Sequence, residues 1–181
     1  MRIIGGRFRG ARLYAPKGLE IRPTADRLRE SIFNILGSRL HTKRVLDLYA
    51  GTGAMGIEAL SRGALHAVFI DQNPMALNLI RRNIAKVRSA EQATILSWDI
   101  ASNLQCLCGH EDFDLVFIDP PYRKGLIRRT LVNLQSAKVG FAAVIAEHNV
   151  EESIGNLPPG FMLRDQRRYG KTLVSFLDVV L

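Results

Sequence analysis

From Arg44 onward the sequence alternates short apolar runs with helical patterns, which restricts the chain to parallel strands joined by crossover helices. The expected strands are Val45 to Tyr49, Ala67 to Ile70, Thr94 to Trp98, Leu115 to Ile118 and Ala142 to Ala146. Between the second and third, Asn73 caps and Pro74 opens a helix whose Leu77, Ile80, Ile84 and Val87 share one face, leaving Arg81, Arg82, Lys86 and Arg88 on a solvated side. The pattern then changes: Phe161 to Tyr169 and Thr172 to Val180 are extended around Gly170-Lys171, which reads as an antiparallel hairpin. At the other end, Ile3 to Leu13 alternates basic and apolar residues around Gly5, Gly6 and Gly10, suggesting a small hairpin. Thr24 is the expected cap of the next helix, which turns Leu28, Ile32, Ile35 and Leu36 toward the core. The fold class is α/β, with a mostly parallel sheet, an antiparallel C-terminal hairpin and a basic N-terminal hairpin extension. Residues 1–43 are expected to form the basic hairpin and helix, packed on the same domain as 44–181.

With 181 residues, 47% of them hydrophobic and 23% charged, the chain can bury one ordinary core, which excludes a disordered basic tail. Its net charge of +8 is unevenly placed: residues 1–44 hold 11 basic and 3 acidic residues, and the other 137 hold 14 of each. An excess confined to one end suits a surface for a polyanion or a solvated face. Cys106 and Cys108 lie one residue apart, so a secreted disulfide framework is excluded, a reducing compartment is inferred, and both read as small buried side chains. His41, His66, His110 and His148 lack metal-ligand spacing, and no metal is expected. The start breaks to glycine and arginine after Ile4, and no run approaches ~18 apolar residues, so neither a signal peptide nor a membrane span is expected.

The first strand leads into Asp47-Leu48-Tyr49-Ala50-Gly51-Thr52-Gly53-Ala54-Met55-Gly56, followed by a helix ending near Arg62-Gly63. Gly51, Gly53 and Gly56 satisfy the dinucleotide fingerprint, and Asp71 falls 20 residues after Gly51, where a carboxylate can accept ribose hydroxyls. Asp47 separates the possible ligands, because a carboxylate beside the glycine turn repels a pyrophosphate. S-adenosylmethionine carries an ammonium and a sulfonium, and its carboxylate can still meet the helix N-terminus. The pattern Asp-x-x-x-Gly-x-Gly resembles the first motif of class I, Rossmann-like methyltransferases. In that reading Asp47, Tyr49, Gly51, Gly53 and Asp71 hold the cofactor, Asp99 accepts the adenine amino group, and Trp98 or Ile100 gives the ring an apolar face. An Asp capping the next helix would look the same as Asp99.

After the fourth strand come Asp119-Pro120-Pro121-Tyr122, at the strand end where open α/β sheets bind ligands. The tetrapeptide is the motif of amino methyltransferases, which act on exocyclic nitrogens of bases or glutamine. Such an amine is a poor nucleophile until pyramidalised. Asp119 and the Pro120 carbonyl can accept its two N–H bonds, while Pro121 stiffens the turn and Tyr122 stacks on the base. A base inside a helix cannot reach this site, so the target is unpaired or flipped out.

The chain resembles the RsmD-type bacterial methyltransferases acting on guanine N2 of 16S ribosomal RNA. The resemblance is carried nearly end to end by Arg2 to Gly6, Arg22 to Glu30 with Phe33-Asn34, the cofactor loop, Asp119 to Tyr122, and Tyr169 to Thr172. It implies a seven-stranded sheet, S-adenosylmethionine, and a guanine in small-subunit RNA presented by an assembling ribosomal particle in the cytoplasm. The acidic, Pro-Gly-rich stretch from Glu147 to Pro159 matches no motif of that family, and a phosphate-loop reading of Gly170-Lys171-Thr172 fails because Asp165 stands where its first glycine belongs. The rivals are a DNA adenine or cytosine amino methyltransferase, a non-catalytic assembly factor that binds the cofactor, and a nicotinamide enzyme that Asp47 disfavours. Arg7, Arg9, Arg12, Arg22 and Arg27 are expected to contact RNA phosphates. A monomer is the preferred oligomeric state.

Overall fold

The computed structural model describes residues 1–16, 23–121, 125–152, 154–155 and 157–180, with side chains in the first helix described from Asp26 onward. One seven-stranded sheet has the order β3-β2-β1-β4-β5-β7-β6. Its strands are β1 (Arg44–Leu48), β2 (His66–Asp71), β3 (Ala93–Ser97), β4 (Phe113–Ile118), β5 (Phe141–Asn149), β6 (Phe161–Tyr169) and β7 (Thr172–Val179). The first five pair in parallel, and β7 pairs antiparallel with both β5 and β6.

Strand alternation divides the apolar side chains between two layers. Val45, Phe69, Phe117 and Ile145 face one layer, covered by α1 (Pro23–Leu36), α2 (Ala54–Ser61) and α3 (Pro74–Lys86) through Leu28, Ile32, Phe33, Ile57, Leu60, Ile80 and Ile84. Leu46, Leu48, Ile70, Ile118 and Ala146 face the other, where α4 (Leu126–Ser136) contributes Ile127, Leu131 and Leu134. Phe33 of α1 meets Phe117 of β4 with ring centroids 5.7 Å apart. Fully burying such a side chain contributes roughly 1.5–3 kcal/mol.

Four expected strands lie within two residues of their observed bounds, and the fifth differs for a tertiary reason. Expected to stop at Ala146, β5 continues through Glu147, His148 and Asn149, which pair with Val174, Leu173 and Thr172 of β7. At the start of α1 the correction is smaller: the helix begins at Pro23, so Thr24 lies in its first turn rather than at its cap. Cys108 is exposed and Cys106 only half-buried, contrary to the expectation that both are buried. The short turn Gln105–Leu107 gives the inward position to Leu107, and burial pushes the Cys106 thiol up to about 11. Arg81, Arg82, Lys86 and Arg88 of the third helix region are exposed as expected, but Arg82 and Lys86 also lie 4.1 and 4.5 Å from the centre of the Tyr14 ring.

The N-terminal hairpin is paired by one bridge, Arg2 to Arg12, with Ile3 N–H donating to Ala11 O and Leu13 N–H to Met1 O, each at 3.0 Å. Its main anchor is Glu58 of α2, which is fully buried and accepts the Ile4 and Gly5 N–H groups and Arg62 Nε, each at 2.8 Å. Arg29 of α1 adds its guanidinium at 3.8 Å from the same carboxylate. Buried Asn83 of α3 ties the chain after the hairpin to the loop after β1: its Oδ1 accepts Tyr14 N–H at 2.7 Å, and its Nδ2 donates to Tyr14 O at 3.1 Å and Thr52 O at 2.9 Å.

Candidate active site

The strand order reverses between β1 and β4, and their C-terminal ends carry the two motif loops. Leu48 pairs with Ile70 on one side and Ile118 on the other, so the β1, β2 and β4 loops leave the sheet at one level. Tyr49, Gly51 and Gly53 all have left-handed backbones, with φ of 59°, 56° and 76°. Two of these positions suit glycine; the tyrosine is strained, at a cost on the order of 1 kcal/mol. Its hydroxyl is held 2.8 Å from Thr130 Oγ1 of α4. Gly56 is required for space, since a Cβ there would lie 2.3 Å from Cε1 of Phe69.

Asp47 is 2% exposed and accepts Gly56 N–H at 2.9 Å. Burial pushes its carboxyl up to about 7; the Gly56 bond draws it down and the Asp71 charge raises it again. Asp71 holds the loop from the next strand, accepting Gly51 N–H at 2.9 Å and Asn73 N–H at 2.8 Å. A carboxylate has about four lone-pair sites, so two backbone bonds leave capacity for hydroxyl donors. Just after β3, exposed Asp99 accepts Ala101 N–H at 3.1 Å, closing a turn where the capping alternative anticipates a helix, while half-buried Trp98 donates Nε1–H to Asn103 O at 3.0 Å. Ile100 is 2% exposed and belongs to the core layer under this edge.

Asp119 follows β4, with its N–H directed to Leu48 O at 3.5 Å. Its side chain opens to solvent, yet enough protein surrounds the carboxyl to desolvate it. That desolvation, then the Glu147 charge, then Asp47, hold its pKa well above the ordinary carboxylate range. Pro120 is buried, Pro121 is exposed, and Tyr122 lies outside the described residues. Glu147 has no motif to announce it; only the extension of β5 along β7 brings it to this edge.

From β3 to β5 the edge therefore carries Asp99, Asp71, Asp47, Asp119 and Glu147 in that spatial order, in a protein of net charge +8. These residues fit the S-adenosyl nucleoside implied by the resemblance. A desolvated acid at Asp47 is stabilised by an ammonium or sulfonium and would repel a pyrophosphate. Among the described residues, no group of three or more His, Cys, Asp or Glu could hold a metal ion, and no helix is long and apolar enough to cross a membrane.

The expected RNA-facing arginines differ in their surroundings. Arg9, Arg12 and Arg27 are exposed, whereas Arg22 lies outside the described residues. Arg7 is also exposed, but its guanidinium bonds to Gln92 and to Ser89, and its N–H donates to Ser61 O at the end of α2 away from the glycine loop.

The family model described as conserved hypothetical protein 95 matches residues 1–178. The chain is similar to Bacillus subtilis YlbH, 33% identical over 180 residues and 97% of each chain. It is also similar to the ribosomal RNA small subunit methyltransferase D of Escherichia coli, 32% identical over 94% of this chain and 86% of that one. The solved structure of yhhF from Escherichia coli superposes with a TM-score of 0.84 at 33% identity, covering 99% of this chain and 97% of that chain.

Proposed function

Since the chain belongs to the RsmD family, whose model is described as conserved hypothetical protein 95, we propose that it methylates the exocyclic N2 amine of a guanine in 16S small-subunit ribosomal RNA. The coarser reading, S-adenosylmethionine-dependent methylation of ribosomal RNA, follows from the family and the fold. The cofactor supplies a methyl group on a positively charged sulfur. The observation that carries the proposal is the meeting of two loops at the β1/β4 switch point, one built to hold a cationic nucleoside and one ending in Asp119-Pro120-Pro121-Tyr122.

Asp47 and Asp71 set the glycine loop, with Tyr49, Gly51 and Gly53 turning the backbone toward the ligand and Trp98, Asp99 and Ile100 at its adenine end. Asp119, ionised, accepts one N–H of the amine, and the Pro120 carbonyl accepts the other, so the nitrogen lone pair points at the methyl carbon. Once methylated, the nitrogen would have to lose a proton, and the Asp119 carboxylate that holds its N–H would be placed to take it. Tyr122 stacks on the base. Exposed Arg9, Arg12 and Arg27, with Arg7 and Arg22, bind phosphates of RNA presented by an assembling cytoplasmic small subunit to a monomeric enzyme.

Labelled cofactor and small-subunit particles from a strain lacking the enzyme provide the test. Label in N2-methylguanine is the expected product, and no transfer to that atom refutes the proposal. Asp119→Ala is expected to abolish transfer while calorimetric cofactor binding persists. Loss of both would assign Asp119 a structural role.

A further inference from the structure

Beyond Asp119 the sheet continues with β5, where the register is fixed. Ile118 pairs with Ala146, so Asp119 and Glu147 stand side by side just past that rung, about one strand spacing of ~4.8 Å apart at the backbone. Ile118 and Ala146 both point into the α4 layer, so alternation turns Asp119 and Glu147 to the opposite face, the face of Asp47. The Glu147 charge acts on the Asp119 carboxyl, in keeping with this placement.

Glu147 is carried on a firmly held backbone. The next residue, His148, is fully buried, and both its ring nitrogens are engaged. A carbonyl can only accept, so Nδ1–H donates to Glu152 O at 2.8 Å. Ser175 Oγ accepts from Gln166 Nε2 at 2.8 Å and is 2.9 Å from His148 Nε2, to which its hydroxyl donates. Glu152 in turn accepts Gly125 N–H at 3.1 Å, joining this corner to the start of α4. The strand is thus tied both to β7 and to the chain that follows the Asp119 motif.

We propose that Glu147 is the base-reading residue of the site: its carboxylate accepts N1–H of the target guanine while Asp119 holds the adjacent N2 amine. This inference rests on the proposed function and sharpens it. Guanine presents two donors in a row, N1–H and the N2 amine. Adenine and cytosine place an unprotonated ring nitrogen beside their exocyclic amines on the pairing edge. Two neighbouring acceptors match the first arrangement and repel the second. Base choice then needs no separate recognition domain.

The test compares single-turnover transfer to particles reconstituted with either guanosine or 2-aminoadenosine at the methylated position. The analogue keeps the reacting amine but replaces N1–H with an acceptor. The unsubstituted protein is expected to prefer guanine by at least about a hundredfold, because an acceptor facing an acceptor goes unpaired. Glu147→Gln can turn its amide N–H toward that acceptor, so the preference should fall below about tenfold while cofactor affinity is unchanged. Glu147→Asp, which keeps the charge on a shorter arm, should retain the preference at a lower rate. Equal slowing of both substrates by Glu147→Gln, with the preference intact, would overturn the inference and leave guanine methylation standing. No transfer to guanine N2 by the unsubstituted protein would instead overturn the function on which it rests.

Discussion

Asp47→Asn separates stability from function at the end of β1. The folded protein holds the Asp47 proton to about pH 7, whereas the unfolded chain releases it near 3.8. The sign follows from that order: between these values the unfolded state binds fewer protons, so stability falls as pH rises through the interval and the full penalty is present above about 7. Its size is about 4 kcal/mol, from roughly three pKa units at about 1.4 kcal/mol each. Asn is neutral and can still accept Gly56 N–H, so the variant should be more stable than the parent by about 1–4 kcal/mol at pH 8.5 and by less than about 1 kcal/mol at pH 4. Urea unfolding at the two pH values measures the difference, and the melting temperature should rise by roughly 2–4 °C per kcal/mol. The raised carboxyl of Asp119 is common to both proteins apart from the smallest of its three causes, the Asp47 charge, whose removal adds to the stabilisation at high pH. Cofactor affinity at pH 8.5 should fall at least about tenfold, because the ligand loses a buried countercharge. A variant less stable than the parent at pH 8.5, or stabilised equally at both pH values, would refute Asp47 as a charge held for a cationic ligand.

Glu58→Ala leaves two backbone donors and two guanidinium groups without their shared acceptor, and is expected to cost about 3–5 kcal/mol in urea unfolding. Amide exchange at Ile4 and Gly5 should accelerate most. Gly56→Ala forces a methyl group against the Phe69 ring and should cost at least about 1–3 kcal/mol by thermal melting. Arg9→Ala and Arg12→Ala should each reduce the slope of log affinity for RNA against log salt by roughly 0.7, with cofactor affinity unchanged. Deleting residues 1–12 is a poorer test, because Ile3 is buried in the core and Glu58 would lose its two backbone donors.

The parallel sheet is legible because Val45, Leu46 and Leu48, and Leu115 to Ile118, put apolar side chains on both faces, and the glycine turn because Gly51 and Gly53 have few other uses between a strand and a helix. Glu58 is different. It is an acid inside an apolar helix whose partner Ile4 is 54 residues away, and no periodicity encodes that pairing. Asn83 likewise looks like one more polar residue on α3, although it is fully buried and joins three chain segments. The extra length of β5 is set by β7, so Glu147 reads locally as part of a Pro-Gly-rich loop and takes its place beside Asp119 only when the sheet assembles. Asp47 was visible as an acid beside the turn; that it also accepts Gly56 N–H depended on how closely α2 approaches β1.

Under the proposed function, the carboxylate-lined edge would sort an RNA chain by charge before any base is read. Phosphates would be turned away from Asp47, Asp71, Asp119 and Glu147 and drawn to exposed arginines such as Arg9 and Arg12. A nucleobase is the uncharged part of each nucleotide and can cross that boundary without Coulombic penalty. The backbone would thereby be kept at the threshold, and what enters would be a single base swung out from it.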